Sequence, residues 1–373
     1  MEKLLYFKLK ENLDNPLRVF FLCGSFFNSG EQEKLDKRII LKKYIESLRS
    51  NYKCLILEEN FMFSNLDNKL NYNDIDMKSL KSIEVLTSLM SDKVIVLHES
   101  ISTATEIGLF SSEKLISKKL IILAPDIFAS EENLVTGFMK LAYDNDRFPD
   151  FNLEIIRYFP GKYLFEVSPN LIKPHFYFVN NVLGENLESG LSEKLNMGKK
   201  SLIIEQFNKY NINNNEVSKY SLIELEDSIR VTLTLDHLVT LLISLFTVDF
   251  IKTDLRKPIT NQNGDRLIKR KRVLRKAISI LKEKFSEFIT RSILSENPLR
   301  DLKKVSVNVA YADINLSQAI SYFVYVMFGI GMININSENT KIIITNEFES
   351  ILIEYTKLIV KPSDGKLREV LNS

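Results

Sequence analysis

Leu97-His98-Glu99-Ser100-Ile101-Ser102-Thr103-Ala104-Thr105-Glu106-Ile107-Gly108-Leu109-Phe110 is the stretch on which the reading of this chain turns. The four apolar residues Val94 to Leu97 read as a buried strand and Ser100 to Thr103 as a polar turn. Thr105 onward reads as a helix opening beneath the strand's C-terminal edge. This places Glu106 in a helical first turn beside a cleft, and open α/β sheets bind their ligands at that edge. Glu106 is therefore the candidate catalytic residue.

Working outward, Val19 to Leu22, Cys54 to Leu57 and Leu120 to Leu123 repeat the short apolar run. Helical patterns at about 31–49, at 77–90 and from 105 separate them. Strands alternating with helices predict a parallel, doubly wound sheet of flavodoxin-like type. The first strand runs into Cys23-Gly24-Ser25, a small-residue loop of the kind that brings backbone N–H groups to an anion or a sugar. Residues 1–16 read as a lead-in arm ending at the Asn15-Pro16 turn signal, and 126–150 as helical. Beyond that, 158–167 and 176–182 read as strands, 207–218 as an Asn-rich loop, and 222–251 as one or two helices. From residue 301 a helix (Asn315 to Phe328), a strand, a turn, a strand and a final helix from Glu347 follow the order of a winged helix. Three regions result: 1–150 catalytic, 151–300 mixed and mostly helical, and 301–373 winged-helix-like.

Composition narrows the class. The 373 residues are 45% apolar, ample for real cores. Fifty basic against 48 acidic residues give a net charge of +2, so nucleic-acid binding would need local clustering. Such clustering occurs at Arg266, Lys269, Arg270, Lys271, Arg272, Arg275 and Lys276, which open a long helix reaching about Leu294. Crowded cations of this kind read as a contact to the phosphate backbone of structured DNA or RNA, or else as a solvated helix face. No aromatic residue interleaves with the run, which argues against a base-stacking groove. The helix Asn315 to Phe328 has no Lys or Arg, an unusual composition for a recognition helix, and a protein contact is the alternative. The two cysteines, Cys23 and Cys54, fit a reducing cytoplasm. The first ten residues mix Lys and Glu and read as no signal peptide, and the longest apolar runs are too short to span a bilayer. His98, His175 and His237 match no metal or triad spacing, so no metal is expected.

Glu106 has a second reading, because Thr103-Ala104-Thr105-Glu106 also fits the capping-box pattern. In glycosyl transfer a carboxylate bonds C1′ or stabilises an oxocarbenium-like centre, while a second group assists the leaving base or the incoming water. Glu59, Asp126 and Glu99 are the candidates for that second group, and Arg38 is a candidate phosphate ligand or a solvated residue.

The run Phe20-Phe21-Leu22-Cys23-Gly24-Ser25, Arg38 with Leu41, Glu59, Ser82-Ile83-Glu84 before Ser91-Asp92, and Glu99-Ser100 with Thr105-Glu106-Ile107-Gly108-Leu109-Phe110-Ser111 resembles the nucleoside deoxyribosyltransferase-like effectors of bacterial retron antiphage systems. The resemblance covers about residues 18–126. It implies an N-glycosidase toxin cleaving the base–ribose bond of a nucleotide, NAD being the favoured substrate, with no separate cofactor. Glu106 would act on C1′, and Cys23, Gly24, Ser25, Arg38, Glu59, Glu99 and Ser100 would line the substrate site. It also implies a reverse transcriptase and its multicopy single-stranded DNA as restraining partners, within a higher-order assembly. Two rivals stand beside it: a nucleotide-sensing or DNA-binding adaptor without catalysis, and an enzyme that transfers the ribosyl group to a macromolecule.

Overall fold

A computed structural model describes residues 5–24, 36–60, 79–125, 154–158, 162–168, 171–176, 178, 182–206, 221–260, 266–296, 303–311 and 313–361. In chain order the elements begin with strands β1 (Tyr6–Phe7), β2 (Lys10–Leu13) and β3 (Arg18–Cys23), then helix α1 (Lys37–Leu48) and β4 (Tyr52–Leu55). Helices α2 (Leu57–Asn60) and α3 (Leu80–Met90) lead to β5 (Lys93–Leu97), followed by α4 (Ile101–Ser112), α5 (Lys114–Ser117) and β6 (Leu120–Pro125). Next come β7 (Glu154–Tyr158), β8 (Lys162–Ser168), β9 (Leu171–Phe176) and α6 (Glu185–Leu195). The described residues divide into two compact units, one drawn from 17–62 and 79–198, the other chiefly from 1–16 and 199–373.

The first unit is built on a five-stranded parallel sheet in the order β4-β3-β5-β6-β7. All six residues of β3 are buried, as an apolar run at the centre of a two-faced sheet requires. Phe20, Leu22, Ile95, Leu97, Ile121 and Leu123 join one core with Ile40 and Ile45 of α1 and Leu187, Leu191 and Leu195 of α6. The alternate residues face α3, α4 and α5, with Phe21 meeting Phe110 of α4 edge-on at 6.2 Å. Arg18, buried, donates to Asp92 at 2.8 Å and ties the start of β3 to the turn before β5. The fifth strand and α6 come from beyond residue 150, where only four strands are legible in sequence. The 126–150 helix and the 207–218 loop lie outside the described residues.

The second unit holds short strands and helices around an apolar centre. Its elements are β10 (Lys200–Ile203), β11 (Glu205–Gln206), β12 (Ser221–Glu224), β13 (Ser228–Leu233), α7 (Leu235–Leu245), α8 (Asp249–Arg256), α9 (Arg266–Glu296), β14 (Lys304–Val309), α10 (Leu316–Gly329), β15 (Ile333–Ile335), β16 (Ile342–Ile344), α11 (Asn346–Tyr355) and β17 (Ile359–Val360). The stretch read as helix from 222 is strand as far as Leu233. There Ile229, Val231 and Leu233 are buried while Arg230 is exposed, a period-2 alternation of aliphatic residues. Four strands, β11 to β14, form one mixed sheet. Residues 1–16 are no loose arm: β1 pairs with β17 and β2 with β10, and Phe7 packs on Phe285 and Phe288 while its N–H donates to Ser292 Oγ at 2.8 Å. Strands β15 and β16 make an antiparallel hairpin between α10 and α11. Among the described residues no helix is long and apolar enough to cross a membrane.

Candidate active site

Strand β4 lies on one side of β3 and β5 on the other, so the strand order reverses between β3 and β5. Chain connections diverge there and leave a crevice at the C-terminal ends of the strands, where ligands of such sheets bind. Cys23 and Gly24 close one wall, and Leu97 to Ser100 with the start of α4 close the other.

Helix α4 begins at Ile101, four residues earlier than the polar turn suggested. Ser100 is its N-cap: the Ser100 Oγ accepts from Thr103 N–H, while Thr103 Oγ1 accepts from Ser100 N–H at 3.0 Å. Thr103 is fully buried and also accepts from the Glu99 N–H at 3.1 Å. The capping box is thus Ser100 with Thr103, which overturns the alternative that Glu106 closes a box with Thr103. Glu106 sits in the second turn, half-buried, and its Oε2 is enclosed with no hydrogen-bond partner among the described residues.

The electrostatics of Glu106 follow from its company. Burial pushes its carboxyl up to about 8, the charges of Glu84 and Glu58 push the same way, and Arg38 opposes them. The helix dipole does not hold Glu106 ionised, since a second-turn carboxyl lies past its effective end. Glu84 of α3 is raised to about 7 by burial and by Glu58. Burial, and after it the charges of Glu106, Glu84 and Glu58, hold the Cys23 thiol well above the ordinary range, so it is no nucleophile here.

Arg38 is the cation of this cluster. It is 1% exposed and neither solvated nor open to a phosphate, because it donates to both Asp36 oxygens, at 3.0 and 3.2 Å, and to Glu58 Oε1 at 2.9 Å. Asp36 doubles as the N-cap of α1. The Arg38 stem lies across Gly24, where a Cβ would come within 2.7 Å of its Cδ, so only glycine lets the guanidinium cross the end of β3. Glu59, the sequence candidate, pairs instead with Lys42 at 2.7 Å, and its neighbour Glu58 enters the cluster. Glu99 accepts from the Tyr158 hydroxyl at 2.9 Å and is ion-paired with Lys37, whose ammonium lies 5.7 and 5.5 Å from the rings of Tyr158 and Phe178. The His98 ring lies 3.5 Å from Thr103 Oγ1, its one side-chain partner among the described residues. Ser25 and Asp126 lie outside the described residues.

Sequence reasoning missed Glu58, Glu84, Asp36, Lys37 and Tyr158 as members of this constellation. A signal existed for Glu84, a carboxylate set between the buried Ile83 and Val85 of an otherwise apolar helix. For Glu58 the signal was hidden, because β4 ends at Leu55, two residues sooner than the apolar run.

The basic run does open a long helix, α9. Arg272 and Arg275 are exposed, while Lys269, Arg270, Lys271 and Lys276 are partly covered. Arg270 stacks 5.2 Å from the Phe328 ring and Lys276 donates to the Lys257 carbonyl at 2.6 Å. Nothing is described of the Arg266 side chain.

A parallel α/β sheet with a half-buried carboxylate cluster at its switch point is a scaffold able to hold a small polar ligand. The chain matches the STM3845 retron effector protein family over residues 34–270, more than half its length, and it belongs to that family. It is also 31% identical over 122 residues to the Escherichia coli protein named "Retron Ec73 putative ribosyltransferase/DNA-binding protein". That alignment covers 32% of this chain and 36% of the relative, so the chain spans little more than a third of the relative it matches.

Proposed function

We propose that this retron effector cleaves the N-glycosidic bond of a nucleotide, NAD being the favoured substrate, with Glu106 acting at C1′. The observation that carries the reading is the Glu106 carboxyl itself: it is enclosed at the strand switch point and one of its oxygens has no hydrogen-bond partner among the described residues. Burying a carboxyl in that state costs stability, and folds retain such groups where chemistry uses them.

In the proposed step the C1′–N bond breaks and its electron pair leaves with the base. The positive charge developing on the sugar is met by the Glu106 carboxylate, and water adds at C1′ and gives up a proton to solvent. A cationic pyridinium, as in NAD, lowers the Glu106 pKa by direct attraction and leaves as neutral nicotinamide without a proton. A purine would need one, and Glu84, titrating near 7, is the group able to hold it. The substrate class therefore separates on Glu84: Glu84→Gln spares NAD cleavage and impairs release of a purine.

The name of the Escherichia coli relative favours a second reading, transfer of the ribosyl group to a macromolecule. On either reading a reverse transcriptase and its multicopy single-stranded DNA restrain the effector in an uninfected cell, in a cytoplasmic assembly. The test expresses wild type and Glu106→Gln, each alone and beside the reverse transcriptase and its DNA, and follows NAD and nicotinamide by mass spectrometry. NAD should fall, and nicotinamide rise, only with Glu106 intact and the partners absent. A ribosylated protein or nucleic acid in place of the free ribosyl product, with the base released either way, establishes the transfer reading, and equal toxicity of both forms sinks catalysis by Glu106.

A further inference from the structure

Glu99 stands where the chain leaves β5, and Lys37 reaches it from the first residue of α1. Their ion pair ties the helix that follows β3 to the turn that follows β5, across the switch point. A carboxylate offers about two acceptor positions on each oxygen. Glu99 Oε1 spends both on the protein, one on the Lys37 ammonium and one on the Tyr158 hydroxyl at 2.9 Å. Oε2 accepts from no described residue, and unlike the Oε2 of Glu106 it is not enclosed, the Glu99 side chain being 23% exposed. The two donors are themselves fixed. Tyr158 ends β7 and is 1% exposed, and the Phe178 ring meets it edge-on at 5.3 Å. The Lys37 ammonium lies over both rings, and Phe178 holds its place with a φ of +53°, in the left-handed region that an aromatic residue rarely adopts. Strain of that kind persists only where the surroundings impose it, and it gathers at ligand clamps. A buried tyrosine hydroxyl needs an acceptor, but a backbone carbonyl would serve. Satisfying Tyr158 does not account for a carboxylate pinned by one oxygen with the other left accessible.

We infer that Glu99 is a specificity-determining residue whose Oε2 accepts from the vicinal hydroxyls of a ribose, selecting ribonucleotides over deoxyribonucleotides, with Lys37 and Tyr158 as its positioning residues. The inference rests on the proposed reading only in taking the crevice for a nucleotide site. The ligand class follows from the acceptor. A carboxylate paired with an ammonium donates nothing, so it repels a phosphate and takes O–H or N–H donors. The two acceptor positions left on Oε2 match two adjacent hydroxyls, and an acidic side chain at the end of a parallel strand reads a ribose in doubly wound folds for the same reason. A deoxyribose displaces the water on Oε2 and returns one hydrogen bond too few, which is the physical source of the selection.

The test is calorimetric titration of the full chain carrying Glu106→Gln, chosen to hold ligand without turnover, with NAD and with its counterparts lacking the 2′-hydroxyl of one ribose or the other. Loss of the hydroxyl that Glu99 holds should weaken binding about tenfold or more. Adding Glu99→Ala should bring the ribo and deoxy forms to within about threefold of each other. Glu99→Gln, which keeps the shape and a neutral acceptor, should leave an intermediate ratio, and Tyr158→Phe should lower the ratio with Glu99 in place. Circular dichroism identifies any variant that fails to fold, and the ratio in the Glu106→Gln form stands without the others. Where NAD does not bind, the 5′-monophosphates of the common ribonucleosides and their 2′-deoxy forms replace it. Equal affinity for ribo and deoxy forms, a ratio that survives Glu99→Ala, or no binding in either series would overturn the inference. Nicotinamide release by the chain with Glu106 intact separates the two claims: if it is absent while binding follows the hydroxyls, only the catalytic proposal fails.

Discussion

Replacing Glu106 by Gln should stabilise the protein, and the gain should depend on pH. The folded carboxyl titrates at about 8 against 4.5 for an ordinary one. Between those values the folded chain holds a proton that the unfolded chain releases, so stability falls as pH rises through the window. At about 1.4 kcal/mol for each tenfold in proton affinity, keeping Glu106 in place at pH 7 costs on the order of 3 kcal/mol. Solvent reaches the open side of this half-buried residue and screens part of that, leaving about 2 kcal/mol. Gln has nearly the same shape and never ionises, so the variant recovers this cost at pH 7 and above and gains little near pH 4.5. For a domain of this size about 2 kcal/mol corresponds to roughly 4–8 °C in Tm. Differential scanning fluorimetry of both forms from pH 4.5 to 9 measures it. A Gln variant no more stable than wild type at pH 8, or equally stabilised at pH 5 and pH 8, would show that Glu106 is not a strained carboxyl.

Gly24→Ala drives a methyl group into the pinned Arg38 stem, 2.7 Å from Cδ, and should cost about 1–3 kcal/mol in a urea melt; a neutral result would mean that Arg38 can move. Arg38→Met strands Asp36 in the interior and should destabilise by about 3 kcal/mol. The same change should move the acid limb of any Glu106-dependent activity to higher pH, because the one lowering influence on that carboxyl is gone. Thr103→Val leaves the N–H groups of Glu99 and Ser100 without their shared acceptor at the root of α4. We expect a loss of about 2 kcal/mol and faster amide exchange at those two positions; unchanged exchange would contradict the assigned cap.

The sheet was legible because its strands are apolar on both faces. β3, β5 and β6 read as short uninterrupted apolar runs at regular separation, each followed by a helical pattern or a turn signal. Its fifth strand was not, since Glu154-Ile155-Ile156-Arg157-Tyr158 begins and nearly ends on charge, as an edge strand can. Boundaries failed where side chains compete for the backbone. Ser100, Ser102, Thr103 and Thr105 look like a turn in sequence, yet Ser100 and Thr103 spend their hydroxyls on each other's N–H groups and so start the helix early. In the candidate site the sequence named Glu106, Cys23, Gly24, Arg38 and Glu99, and the fold gathers all of these at the strand ends. What it could not supply was the pairing. Arg38 reads as a solvated residue because its partners, Asp36 and Glu58, are respectively two and 20 positions away, one before α1 and one after β4.

That pairing bears on why Glu106 exists in this form. Among the described residues a single guanidinium, already shared by Asp36 and Glu58, stands against four carboxyls with Glu84 and Glu106 and cannot neutralise all of them. Burial first, and then the repulsion among these carboxyls, appear as protons retained by Glu84 and Glu106, with values of about 7 and 8. A cap would have needed no such arrangement, because Ser100 and Thr103 already satisfy the start of α4. The cluster is instead an acidic pocket one positive charge short, and a ligand bearing developing or permanent positive charge would complete it. A carboxyl that loses its proton when such a ligand enters is ionised at the moment the glycosidic bond weakens. This gives the pH window above a functional counterpart. A non-cleavable pyridinium nucleotide analogue should bind more tightly as pH rises from 6 to 9, whereas its neutral dihydropyridine counterpart should not; equal pH dependence for the two would separate the strain at Glu106 from any role in meeting charge.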